Sequence, residues 1–340
     1  MDKISVVIPA YNAENFIENA VNSVLSQTHR EVEVLIVNDG SGDRTKEICE
    51  RLEKQHTQVR FIDKPNTGVS DTRNTALWNL TGEYVFFLDA DDLLPEYALE
   101  LLLGEIKRES CKAVYGTHAY RYPDGKLLPR SARIMSGVYT FEDIKDRFLD
   151  DGTLTGILFG SACGVLYRTD ILRENRILFP VGVAANEDGI FNLYFLSCAD
   201  RFCVLDSPYV YLYNQWKNKV KQPLDIDRRL AKADEVLLES LARLGLKEEF
   251  ASQLLRRRAT VAFVHAVRIA GARTNLIQSR RYLKSLFNAQ GVQEGLQEMD
   301  YEHMSRYKRM ICMMMRRRMY VLFYLVIRYI YPLAGKVIKR

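Results

Sequence analysis

The stretch Tyr84-Val85-Phe86-Phe87-Leu88-Asp89-Ala90-Asp91-Asp92 decides the reading of this chain. Five apolar residues form a compact run of the kind buried on both faces of a sheet, and three carboxylates follow within four residues. Like charges held this close raise one another's pKa and destabilise a fold unless something cationic offsets them. Hard oxygen ligands suit Mg²⁺ or Mn²⁺, which take one or two protein carboxylates and complete their shell with water and phosphate oxygens. The competing reading is a helix cap by Asp91 or Asp92 ahead of Leu93-Leu94-Pro95-Glu96. A cap uses one carboxylate and leaves the other two without a role.

Working outward, three more apolar runs precede this one: Ile4–Ile8, Val32–Val37 and Val59–Ile62. Between them lie helical patterns, such as Ala20, Val21, Val24 and Leu25. Apolar strands alternating with amphipathic helices predict an α/β fold with a mostly parallel central sheet flanked by helices. Ligands in such sheets bind beyond the carboxyl ends of the strands. After the first strand stands Pro9-Ala10-Tyr11-Asn12, which is neither the glycine-rich turn of a dinucleotide site nor a P-loop. Tyr11 could stack on a base or simply enter the next helix. After the second strand stands Asn38-Asp39-Gly40-Ser41-Gly42-Asp43, where Ser41 or Asp43 can cap a helix and Asp39 can accept from a base or ribose. Asn186-Glu187-Asp188 opens an apolar helix; its acids suit the helix dipole, or a general base if the other carboxylates build a site.

From Cys111 to Tyr213 the pattern is mixed. Ala113–Tyr120 and Val204–Tyr213 read as strands, Phe141–Leu149 and Asp188–Cys198 as helices. From Asp225 onward it is helical, with Leu230–Leu244, Phe250–Gly271 and Ser279–Asn288 as the candidates. This divides the chain into a domain over 1–220, with a nucleotide-binding half 1–110 and an acceptor half 111–220, and a helical region over 221–340.

The 340 residues hold 48 Lys plus Arg and 43 Asp plus Glu; 47 % are hydrophobic and 27 % charged. Disorder, collagen and a disulfide scaffold are excluded by that balance. The net charge of +5 is a sum of unlike parts: 24 basic and 32 acidic residues over 1–220, then 24 basic and 11 acidic over 221–340. Six cysteines without a C-x-x-C pair read as small hydrophobes in a reducing compartment, not as bridges or a zinc site. Met1-Asp2-Lys3 runs straight into the first strand, so no signal peptide is expected and the location expected is cytoplasmic.

In their order along the chain, Ile8-Pro9-Ala10-Tyr11-Asn12, Asn38-Asp39-Gly40-Ser41, Asn66-Thr67-Gly68, Arg73-Asn74, Phe87–Asp92 and Glu187-Asp188 resemble the family 2 glycosyltransferases of bacterial surface polysaccharides. The resemblance covers roughly residues 1–215. It implies the GT-A fold, a Rossmann-like sheet, followed here by an all-helical C-terminal extension. It implies an inverting, metal-dependent transfer from a nucleotide sugar, usually a UDP-sugar, to a hydroxyl of a glycan or polyprenyl-diphosphate-linked acceptor, by a hexosyl- or N-acetylhexosaminyltransferase. Pro9 would then line the donor site, Tyr11 and Asp39 would meet the base, Arg73 the nucleotide or diphosphate, and Asp89 the ribose. Asp91 would hold Mn²⁺ or Mg²⁺, and Asp188 would be the base, with Glu187 orienting. The sequence departs from the family at Asn38, where an acid is usual, and at Asp71-Thr72, where small residues are usual. A sugar nucleotidyltransferase is the alternative enzyme reading, although its glycine- and basic-rich first loop is missing. A catalytically silent membrane or nucleic-acid binding module is the third.

Residues 306–340 carry ten Lys or Arg and no acid, around the apolar run Met319–Ile327. The run is too short for a membrane span, which takes about 20 residues. Aromatic and aliphatic residues with basic margins suit the membrane interface. Peripheral attachment to the inner face of the cell membrane is therefore expected, and no nucleic-acid partner. An ordinary core helix and a homo-oligomer contact through Met313-Met314-Met315 remain open alternatives.

Overall fold

The computed structural model describes residues 2–183, 185–215, 226–271 and 276–330. Their contacts group them into two units. Of the described residues, the first holds 2–143, 159–183, 185–215 and 228–237; the second holds 144–158, 226–227, 238–271 and 276–330. The boundary therefore differs from a single cut at 220, because 144–158 groups with the helical residues.

In the first unit the alternation runs β1 (Ile4–Ala10), α1 (Ile17–Leu25), β2 (Val32–Asp39), α2 (Thr45–Gln55), β3 (Val59–Lys64), α3 (Val69–Asn79), β4 (Tyr84–Phe87) and α4 (Ala98–Arg108). Short strands follow: β5 (Ala113–Tyr115), β6 (His118–Arg121), β7 (Leu127–Pro129), β8 (Gly137–Tyr139) and β9 (Val165–Arg168). Then come α5 (Thr169–Glu174), α6 (Glu187–Cys198), β10 (Phe202–Val204) and β11 (Tyr211–Asn214). Eight strands form one sheet in the order β3-β2-β1-β4-β9-β5-β10-β8, and β11-β6-β7 form a second. The first four are mutually parallel, with β9 inserted antiparallel between β4 and β5.

The burial follows the chemistry. Every residue of β2 is buried, as the apolar runs demand, and α1 seats Ile17, Ala20, Val21 and Val24 against the sheet. The order β2-β1-β4 reverses direction at β1, and a crevice opens at such a switch point. Register sets its rim: Ala10 pairs with Asn38, Asp39 with Lys64, and Val7 with Phe87. Three strand ends thus deliver Tyr11, Asp39 and Asp89 to one edge.

Three readings of local structure change. Ala113–Tyr120 is two strands in different sheets, broken at Gly116, where a side chain would lie 2.3 Å from Val210. Val204–Tyr213 ends one strand and begins another, with Ser207-Pro208 between them. Phe141–Leu149 contains only a 3₁₀ turn over Lys145–Arg147. Its apolar residues Phe141, Ile144, Phe148 and Leu149 are buried, so a helical spacing was produced by burial alone.

The second unit is helical: α7 (Ile226–Arg243, shared with the first), α8 (Ala251–Gly271), α9 (Leu276–Asn288), α10 (Gln290–Gln297), α11 (Arg306–Arg316) and α12 (Tyr320–Leu325). Ala259, Ala262, Ala266 and Ala270 line one side of α8 and are buried. α10 comes close enough that a side chain at Gly295 would lie 2.1 Å from the Leu255 carbonyl oxygen. Gln253 turns back to the segment 144–158, accepting from the Leu149 amide and donating to the Lys145 carbonyl. Among the described residues no helix is long and apolar enough to cross a membrane. The cluster Lys336–Arg340 lies outside the described residues.

Candidate active site

The loops after β1 and β2 are stitched together. The Asn12 amide donates to Ser41 Oγ, and the Gly42 amide donates to Asn12 Oδ1, both at 2.9 Å. Asp43 Oδ1 accepts from the amide of Thr45, the first residue of α2, while the N-cap position itself is Arg44 and makes no side-chain capping bond. Asn38, buried, donates to Asp63 Oδ1 at 2.7 Å and accepts from Ser41. A carboxylate in its place could not make that donation. Tyr11 stands 56 % exposed at the crevice edge.

Asp39 is buried and holds the loop after β3. One oxygen accepts from Lys64 Nζ at 2.6 Å and the Thr67 amide at 2.8 Å; the other accepts from the Gly68 amide at 2.9 Å. Burial alone would raise its pKa, but Lys64 and the two amides overcome this and hold the carboxyl below its ordinary value. Gly40, at φ +65°, lies so close to this loop that a Cβ would sit 2.7 Å from the Asn66 amide nitrogen. Asp71 and Thr72 now have a role. Asp71 pairs with Lys64 at 3.2 Å, and Thr72 Oγ1 donates to the Gly68 carbonyl.

Arg73 is only 3 % exposed and joins the two ends of the site. Nη1 donates to Asp188 Oδ1 at 2.6 Å, and Nη2 donates to Asp89 Oδ1 at 3.1 Å. Its guanidinium carbon lies 5.2 Å from the centre of the Phe179 ring, which stacks on Phe191. Burial opposes the charge, but Asp188 and Asp89 outweigh it and the pKa rises further. The Arg73 guanidinium is thus a bridge between two carboxylates. Asn74 exchanges two 2.8 Å hydrogen bonds with the backbone of Phe179 and so holds that ring in place. Asp188 Oδ2 accepts from the Ala162 amide at 3.0 Å. Burial, and next the charge of Asp188, push the neighbouring Glu187 carboxyl up.

The three carboxylates after β4 have separate surroundings. Asp89 faces Arg73. Asp92 is buried, accepting from Tyr211 Oη and the Asn214 amide, each at 2.8 Å. Burial lifts Asp92 to about 7 against those two bonds, with Asp91 and Asp89 adding repulsion. Neither Asp91 nor Asp92 caps a helix, because α4 begins only at Ala98. Asp91 is half-buried, and its backbone carbonyl accepts from Asn214 Nδ2 at 2.6 Å. Among the described residues no cluster of three or more His, Cys, Asp or Glu is arranged to hold a metal ion by itself.

Comparison with known proteins matches residues 5–176, just over half of the chain, to the profile of Glycosyl transferase family 2. The chain belongs to this family. Glycosyltransferase GlyA of Streptococcus pneumoniae serotype 4 is 30 % identical over 201 residues, covering 58 % of this chain and 28 % of GlyA. The uncharacterized glycosyltransferase EpsJ of Bacillus subtilis is 28 % identical over 220 residues, covering 64 % of this chain and 63 % of its own length. The chain thus spans less than two thirds of either relative. Residues 1–349 of S. aureus TarS, crystallised in complex with UDP-GlcNAc, superpose with a TM-score of 0.64 at 20 % identity, covering 98 % of this chain and 92 % of that one. The architecture is accordingly the GT-A fold with a helical C-terminal region.

Several members of this candidate site carry no motif signal. Asn192 is fully buried on α6, accepting from Tyr115 and Tyr167 and donating to the carbonyls of Phe159 and Ser161. It thereby fixes the loop whose Ala162 amide meets Asp188. Lys64, Tyr211 and Asn214 are likewise structural partners of the acids. Of these only Lys64 was within reach of the sequence, as the cation ending a strand beside Asp39.

Proposed function

We propose that this family member is an inverting, divalent-metal-dependent glycosyltransferase of surface-polysaccharide assembly. It moves a hexosyl or N-acetylhexosaminyl group from a UDP-sugar to a hydroxyl of a glycan or polyprenyl-diphosphate-linked acceptor at the inner face of the cell membrane. The observation that carries the reading is the Arg73 bridge, which brings Asp89, beyond β4, and Asp188, opening α6, to the two terminal nitrogens of one guanidinium. Support for the donor class comes from the family match and from the UDP-GlcNAc complex of the similar TarS fold.

Within this reading, Tyr11 stacks on the base and the Asp39 carboxylate orients it beside the Thr67–Gly68 loop. Asp89, half-exposed at 38 %, has room to meet a ribose hydroxyl while still paired with Arg73. The surroundings of Asp91 fit an ion that shares its coordination with a diphosphate: one half-buried carboxylate on a fixed backbone, flanked by two others committed to Arg73 and to Tyr211 with Asn214. The chemistry such an ion supplies when bound is neutralisation of the leaving diphosphate. Asp188 is held by Arg73 and the Ala162 amide, one bond to each oxygen, which leaves lone pairs to take the acceptor's proton. Glu187 beside it orients that hydroxyl. A base acting on the face opposite the leaving group gives one displacement and inversion.

The test is release of nucleoside diphosphate from a panel of nucleotide sugars with Mn²⁺, for the wild type, Asp91→Ala and Asp188→Ala. Both variants are expected to fold and to lose transfer. Near-wild-type turnover by either removes that residue from the mechanism, and turnover undiminished by a chelator removes the metal.

A further inference from the structure

On α11 and α12 the usual distribution of residues is inverted on the outward side. Buried Ile311, Cys312, Met314, Met315, Phe323 and Tyr324 face the helical core. The opposite side of α12 and of the π-helical turn after it presents Val321, Leu322, Leu325, Tyr329 and Ile330, each 39–60 % exposed. They recur at helical spacing, so they form one continuous apolar strip with no acid in it. On α11, Met310 and Met313 are also exposed, beside a depression of about 300 Å³ lined also by Arg306, Arg309 and Arg317. Arg316 and Arg318 are exposed next to it.

We infer that this face of α11 and α12 is the docking surface for an anionic lipid bilayer. A soluble surface rarely leaves so many large apolar side chains contiguous. A groove for a protein partner would not require five exposed arginines on a stretch, 306–330, that contains no acid. Residues 306–340 contain ten cations and no anion, which complements an anionic leaflet and repels a second copy of the same face. Apolar residues entering the headgroup region with arginines at the margin is the arrangement of an interfacial helix. The docking deepens the proposed function only by supplying the membrane-side location; binding itself requires neither donor nor turnover.

The experiment is cosedimentation of the full chain with phosphatidylcholine vesicles, with and without phosphatidylglycerol, at low and high salt. Wild type is expected to partition onto the phosphatidylglycerol vesicles and to be released by salt. Leu322→Glu combined with Leu325→Glu is expected to lower the partition coefficient at least about tenfold. Arg316→Gln with Arg317→Gln and Arg318→Gln is expected to abolish the preference for anionic over neutral vesicles. Unchanged circular dichroism shows that the variants fold. Equal binding by the variants, or no binding by the wild type, overturns the inference. So does a wild-type dimer that Leu322→Glu dissociates, or retention of RNA in place of vesicles. A chain that transfers no sugar yet binds vesicles sinks the proposed function and leaves this one standing.

Discussion

Replacing Arg73 by methionine keeps an apolar stem against Phe179 and removes the charge that Asp188 and Asp89 share. Removing one partner of a buried pair costs about 3–5 kcal/mol, because the other charge is left without compensation. The two arms do not contribute equally. Asp188 is 15 % exposed and bonded at 2.6 Å, whereas Asp89 is 38 % exposed at 3.1 Å and is screened by water. We therefore expect Arg73→Met to destabilise the fold by about 3 kcal/mol, most of it through Asp188. The assay is urea unfolding followed by tryptophan fluorescence, Trp78 lying on the same helix, in a double-mutant cycle with Asp188→Asn and Asp89→Asn. A coupling of about 2 kcal/mol with Asp188 and under about 1 kcal/mol with Asp89 is expected. Additivity within about 0.5 kcal/mol for both pairs would refute the bridge as an energetic unit. Turnover of Arg73→Lys should fall as well, because a point cation cannot hold both carboxylates in the geometry of a planar fork.

Glu33 gives a pH-dependent prediction. Burial raises its pKa, but Ser5 and the amide and hydroxyl of Thr81 hold it at about 2 against an ordinary 4.5. At about 1.4 kcal/mol per unit this gap is worth about 3 kcal/mol. The folded-state value is depressed, so the stabilisation is full above about 4.5 and is lost as pH falls toward about 2. The stability difference between wild type and Glu33→Gln should shrink by more than half from about pH 6 to about pH 3; a flat difference counts against it. Gly40→Ala, with its Cβ against the Asn66 amide at positive φ, should cost about 1–3 kcal/mol and raise the KM for donor. An unchanged urea midpoint and KM would show that the loop tolerates the methyl group. Tyr11→Ala touches an exposed ring, so stability should stay within about 0.5 kcal/mol. Its donor KM should rise roughly tenfold if the ring stacks on a base, and an unaltered KM would dismiss that contact.

Local chemistry explains which parts of this molecule were legible. β1, β2 and β4 are written as runs of Val, Ile and Phe, and carboxylates or Asn at their ends mark the rim of the crevice. α3 is a different case. It buries Thr72, Arg73 and Asn74 because their partners lie on other elements, so its sequence shows no apolar face to announce it. Arg73 meets Asp188 across 115 positions, and Asp92 meets Tyr211 across 119. No spacing rule reaches that far. β9 went unread because Val165–Arg168 is only four residues long and pairs antiparallel with strands that are distant in sequence.

The grouping of 144–158 with the helices has a consequence in time. Leu149 finds its side-chain partner Gln253 only 104 residues later. Ribosomes add about 5–20 residues per second, so the segment emerges and waits on the order of 5–20 s before that partner exists. During synthesis Phe148 and Leu149, both buried in the finished protein, have no completed helical unit to enter. A chain stopped near residue 220 would therefore lack the Gln253 side chain that bonds the Leu149 amide and the Lys145 carbonyl.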